Sequence, residues 1–174
     1  DEATRLDPNV VTSVEYSIAH LPGGPRRVAS LASLRPGSLD NLFPAIVLGG
    51  REDARDMLRT VDIDMVPPAF RRSYDAVMSF AEGKPAEVIP AVEAAVAAHV
   101  DPEALFLFGL LLLRGDAHDR GLEVVAGALR DGFTPATTLR DSSAFDAVRT
   151  RPDFKVMENQ AWDKLRVNQQ MFEA

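Results

Sequence analysis

Residues 102–135 read PEALFLFGLLLLRGDAHDRGLEVVAGALRDGFTP, and this stretch decides the fold. Its first half, Ala104 to Leu113, is apolar throughout. A bilayer crossing takes about 20 apolar residues, so the run reads as a helix buried on all sides. Asp101-Pro102-Glu103 marks its start. Asp101 accepts from the orphan amides of the first turn, Pro102 suits the first helical position, and Glu103 matches the positive helix end. After Gly115, the residues Leu122, Val125, Ala126 and Leu129 recur at three-and-four spacing, as one face of a second helix. A short link between two helices forces an antiparallel pair.

The same grammar extends outward. Val88, Val92, Ala95 and Val96 form another such stripe, Pro and Gly fall between stripes, and no stretch alternates with the period of a strand. The spacing predicts helices near 9–20, 25–35, 38–48, 51–61, 67–82, 85–99, 102–114, 117–131, 143–149 and 152–172. The expected fold is all-α.

The pattern also repeats. Turn glycines Gly50, Gly83 and Gly115 stand 33 and 32 apart in the numbering, and helix-starting prolines Pro67, Pro102 and Pro135 stand 35 and 33 apart. A ladder of small or slim residues runs through both pairs. Gly109, Gly121 and Ala128 are spaced 12 and 7, and Ala76, Val88 and Ala95 show the same spacing one repeat earlier. Slim side chains there let antiparallel helices approach closely; bulky ones would hold the backbones apart. A helix–turn–helix unit of this length with small residues at these intervals resembles the tetratricopeptide repeat (TPR). The resemblance covers about 67–135 as two repeats, with a degenerate third at 38–66. It departs from the family at Arg72 and Asp75, where large apolar residues are usual, at Arg55 in an expected small position, and at Pro44, which interrupts a first helix.

Residues 127–157, GALRDGFTPATTLRDSSAFDAVRTRPDFKVM, carry a second resemblance. Asp141, Phe145, Asp146, Val148, Arg149, Pro152 and Phe154 fall in the order seen where many bacterial TPR arrays close. Such arrays often end serine/threonine kinases, nucleotide cyclases or transcription regulators. The resemblance therefore implies an α-α superhelix of antiparallel pairs with a C-terminal capping helix: N-terminal helices at 1–37, repeats at 38–66, 67–101 and 102–135, and a cap at 136–174. A stack leaves an apolar end that a cap must cover. Phe145, Val148 and Phe154 are expected to plug it. Trp162, Leu165 and Phe172 mark an amphipathic last helix, with Glu158, Asp163, Lys164 and Arg166 facing water. Arg149 is expected to form a surface ion pair with Asp146.

Composition narrows the function classes. The 174 residues hold 19 Lys+Arg against 26 Asp+Glu, a net charge of −7, which disfavours nucleic acid and anionic membrane as partners. The absence of cysteine removes disulfides, thiolate metal sites and thiol catalysis. A chain opening on Asp1 reads as a piece of a longer protein, with a cytoplasmic setting expected.

Candidate chemistry is sparse. Asp116, His118 and Asp119 share one turn, but zinc takes three or four convergent ligands, so a solvated turn is the expectation. His99 beside Asp101 suits a helix end, and His20 stands alone. Ser142, His118 and Asp141 lack the glycine-framed serine of a nucleophile elbow. Gly23-Gly24 and Gly49-Gly50 lack the remaining residues of a phosphate loop. Glu87, Glu93, Glu123 and Asp131 read as solvated helix faces, and Arg26-Arg27 and Arg71-Arg72 as isolated basic pairs. Neither a cofactor nor a metal is expected, and no enzyme activity.

What the TPR resemblance implies is a concave groove lined by first helices, suited to an extended peptide or partner helix. With Gly109 as register mark, groove positions fall at Glu103, Phe106, Leu110 and Leu113. In the preceding unit they fall at Phe70, Ser73, Val77 and Phe80, with Arg71 and Arg72 at the rim. The expected function is noncatalytic protein–protein interaction or regulation, with self-association open. The alternative is a small-molecule sensor whose pocket is closed by N-terminal helices over Phe106 and Leu110.

Overall fold

The computed structural model describes residues 51–59, 64, 66, 68, 71–98 and 101–173. The helices expected at 9–20, 25–35 and 38–48, and the residues Phe70, His20 and His99, lie outside the described residues. Among the described residues all regular structure is helical and no strand occurs, so the described part of the chain is all-α. The helices are α1 (Arg51–Leu58), α2 (Arg71–Ala81), α3 (Pro85–Val96), α4 (Pro102–Arg114), α5 (His118–Arg130), α6 (Ala136–Asp141) and α7 (Pro152–Glu173), with a 3-10 turn at Ser143–Phe145. The chain divides into two compact units, Asp1–Ala95 and Val96–Ala174.

In the first unit α2 buries Ser73, Ala76, Val77, Phe80 and Ala81. Its end closes by a left-handed Gly83 (φ 72°), with the Lys84 amide donating to the Ser79 carbonyl at 3.0 Å and the Gly83 amide to Phe80 at 3.1 Å. This double bond pattern satisfies orphan carbonyls of the last turn. The chain then reverses, so that Arg72 at the start of α2 reaches Ala94 near the end of α3. From α1, Arg55 Nη2 donates to the Ala81 carbonyl at 3.1 Å, adding a cation to the negative end of α2.

The second unit is built around α4. Asp101 sits in extended conformation and accepts from the Ala104 amide at 2.9 Å, with Pro102 following, as the sequence predicts. Phe106 to Leu113 are all buried. Helix α5 returns antiparallel at glycine-set distance. A β-carbon on Gly109 would stand 2.6 Å from Val125 Cγ2 and 3.1 Å from the Val125 amide nitrogen. One on Gly121 would stand 2.7 Å from Leu113 Cγ. Ordinary carbon contacts lie at about 3.5–4.0 Å, so only glycine permits this approach.

The link between α4 and α5 differs from expectation in one detail. Gly115 keeps negative φ, and the left-handed residue is Asp116 (φ 64°). The Ala117 amide donates to Leu112 and the Asp116 amide to Leu113, the same pattern as at Gly83. Asp116 therefore plays in this turn the part that Gly83 plays in the earlier one. Aspartate is among the few side chains that visit this region at modest cost.

The tail departs further. The helix expected at 143–149 is instead a 3-10 turn followed by a run of turns, and α6, which the spacing does not predict, stands before it. Ser142 breaks the helix in extended conformation, its hydroxyl accepting from the Ala144 amide at 3.3 Å. Arg149 fixes the break. It pairs with Asp146 as expected (2.9 Å) and also donates to the carbonyls of Leu139 (3.3 Å), Arg140 (2.5 Å) and Ser142 (2.7 Å). Phe145, Val148 and Phe154 are buried. Phe133, Phe106, Phe145 and Phe154 form a row with centroid separations of 5.3, 6.3 and 5.1 Å. Helix α7 seats Phe154, Met157 and Ala161 in this core and half-buries Trp162 and Leu165. Lys164 Nζ caps α5 at the Leu129 carbonyl (2.9 Å). Asp163, Lys164 and Arg166 are exposed, Glu158 only half so.

Candidate functional site

The residues proposed to line a groove divide between the two units, and each set is taken by itself. On α2, Ser73, Val77 and Phe80 are buried. Arg51 of α1 covers Phe80, its guanidinium carbon 5.7 Å from the ring centre. Arg71 is half-buried and donates through Nε to the Val66 carbonyl at 3.1 Å. Arg72 is exposed, with Nη1 at 3.5 Å from the Ala94 carbonyl.

On α4, Phe106, Leu110 and Leu113 are buried. Phe106 lies between Phe133 and Phe145, tilted to both rings, and Leu113 lies against Gly121 in the α4–α5 contact. Glu103 is half-buried, and its Oε1 is enclosed without a hydrogen-bond partner. Burial pushes its carboxyl above the usual range, because an ion loses hydration that nothing there replaces. Of the named positions that are described, Arg71, Arg72 and part of Glu103 remain at the surface.

Groups that the sequence offered for chemistry have other duties. His118 Nε2 is 3.7 Å from Asp116 Oδ1, while Asp119 accepts from Arg151 at 2.6 Å. Among the described residues no group of three or more potential ligands is arranged to hold a metal ion. Asp141 is gripped by Arg140 through two bonds of 2.8 and 3.0 Å, which holds its carboxyl below the ordinary range. Ser142 serves as a cap. Arg151 bridges Asp119 at the start of α5 to Asp153 at the start of α7, and its hydrogen bonds lower the Asp153 carboxyl. Sequence reasoning found the Arg149–Asp146 pair but missed Arg149's three carbonyl bonds and the role of Arg151, although the neighbouring aspartates were visible.

Among the described residues no helix is long and apolar enough to cross a membrane. Comparison with known protein families, with curated proteins and with solved structures finds no match.

Proposed function

We propose that the chain is a noncatalytic protein–protein interaction or regulatory domain of a larger bacterial protein. It is a TPR-like array of antiparallel helix pairs that binds a peptide or partner segment, in a cytoplasmic setting. One observation supports this above others. The step in numbering that carries left-handed Gly83 onto left-handed Asp116 also carries the end of α2 (Ala81) onto that of α4 (Arg114). It carries the start of α3 (Pro85) onto that of α5 (His118), and buried Ala76, Val88 and Ala95 onto buried Gly109, Gly121 and Ala128. A unit that recurs with its turn geometry and its slim residues is built for stacking, and stacked units present extended surfaces. Since the described apolar register positions are buried, partner contact falls on the charged rim of α2.

The test is a photo-crosslinking amino acid placed at Asp75, exposed on α2 one turn from the rim, with Glu123 of α5 as control. A partner polypeptide captured through position 75 and absent at 123 is the expected result. The same bands at both positions would overturn the reading. A small-molecule sensor is favoured by Glu103 alone, whose enclosed Oε1 lacks a partner. A ligand amine supplying that bond would raise the melting temperature of the natural protein but not of Glu103→Gln.

A further inference from the structure

We propose that Arg71 and Arg72 recognise an acidic polypeptide segment, each guanidinium taking one carboxylate; this rests on the interaction reading above and names its partner chemistry. An arginine carries five N–H donors, and the two units use them differently. In the second unit Arg120 holds Glu123, Arg140 holds Asp141, and Arg166 holds Asp163. Arg149 makes four bonds, one to a carboxylate, and Arg151 joins two aspartates. Among the described residues of α1 and α2 no such pair occurs. Arg51 rests on the Phe80 ring, and Arg55, Arg71 and Arg72 each give one N–H to a backbone carbonyl. Among the described residues none of these four has a carboxylate at ion-pairing distance.

Arg71 and Arg72 hold the first two positions of α2, whose first turn has no acid. By contrast α3, α4, α5 and α7 carry Glu87, Glu103, Asp119 and Asp153 in their first turns. Cations at a helix start oppose its dipole, so beyond one carbonyl bond each the fold makes no use of this pair's charge, although the chain has acids in excess. Partner carboxylates would reverse that balance through charge-assisted bonds. Neighbours on a helix diverge by about 100°, so the two guanidiniums bind separate carboxylates rather than sharing one. Exposed Asp75 lies one turn further on, and the molecule carries −7 overall. Both oppose a dense polyanion such as nucleic acid and suit the single charges of a short acidic peptide.

The experiment is fluorescence anisotropy of a dye-labelled Glu-Ala peptide with the full chain, at low salt so that screening is weak. A Lys-Ala peptide, inorganic phosphate and a short DNA serve as comparisons. The double variant Arg71→Gln, Arg72→Gln is compared with Arg130→Gln, which removes an exposed arginine of the other unit. The expected result is binding of the Glu-Ala peptide, weakened about tenfold or more in the double variant, little changed in Arg130→Gln, and lost as salt rises. Circular dichroism confirms that each variant is folded. No binding, equal loss in both variants, or equal preference for phosphate or DNA overturns the proposal. A partner captured through position 75 that lacks acidic residues at the crosslink would sink it while leaving the interaction reading intact.

Discussion

Replacing Gly109 by alanine adds one methyl group where α4 meets α5. The new carbon would stand 2.6 Å from Val125 Cγ2, about 1 Å inside normal contact. Val125 is β-branched and stiff in a helix, so its methyl cannot swing clear. The backbone offers no slack either: the Gly121 carbonyl oxygen and the Val125 nitrogen would both lie at 3.1 Å. Overpacking of this kind costs about 1–3 kcal/mol, against about 1 kcal/mol gained by alanine over glycine in a helix. The net expectation is a loss of up to about 2 kcal/mol. Gly127 in the same hairpin provides the control, since its added carbon meets nothing nearer than the flexible Arg130 Nη2 at 3.7 Å. Gly127→Ala is therefore stabilising by about 0.5–1 kcal/mol. Urea unfolding at unchanged slope reads both, or melting at about 2–4 °C per kcal/mol for a domain of this size. Adding Val125→Ala to Gly109→Ala should return part of the loss, as coupled neighbours do. Equal stabilisation by both alanines would refute the close approach.

Three further outcomes follow from the tail and from Glu103. Phe154→Ala should lower stability by about 3–5 kcal/mol by thermal or urea unfolding, since the ring is buried against Phe145; an unchanged melt would mean that the tail is not packed. Arg149→Lys should cost about 1–3 kcal/mol, because an ammonium cannot span three carbonyls and Asp146 at once. Arg140→Lys should cost less than that, its Asp141 pair being exposed, although its guanidinium also lies 4.9 Å from the Trp162 ring centre. Glu103 binds its proton more tightly folded than unfolded, where a glutamate titrates near about 4.3. Its contribution is therefore most favourable below that pH and is lost as pH rises through the raised folded value. Glu103→Gln should accordingly be more stable than the natural protein at pH 7, with the difference closing in acid, as followed by melting across pH.

The elements that local chemistry controls are legible in the sequence. Asp101 and Pro102 announce α4, the run to Leu113 announces burial, and Gly109 with Gly121 announces close helices. Phe145, Val148 and Phe154 are expected in the interior and lie there. The tail misleads because apolar spacing at 143–149 looks helical, while the outcome depends on Arg149 reaching back to the carbonyls of Leu139, Arg140 and Ser142. Asp116 is hidden because glycine is the usual left-handed residue and Gly115 stands next to it. Burial of Phe80 and Phe106 depends on what packs over them, Arg51 in one unit and Phe133 with Phe145 in the other. Such contacts between distant positions leave no trace in periodicity.

The most direct measurement is a methyl and α-proton NOE experiment on protein labelled at Gly, Ala, Val, Leu and Phe. Gly109 should show contacts to the Val125 methyls, and Gly121 to Leu113. A helix pair that recurs at the Gly83-to-Asp116 step requires the same contacts upstream, Ala76 to Val92 and Val88 to Phe80, all four of which are buried. Finding both sets agrees with stacked, equivalent pairs. Finding the first set without the second would leave a single helical hairpin and contradict the array from which the interaction function is inferred.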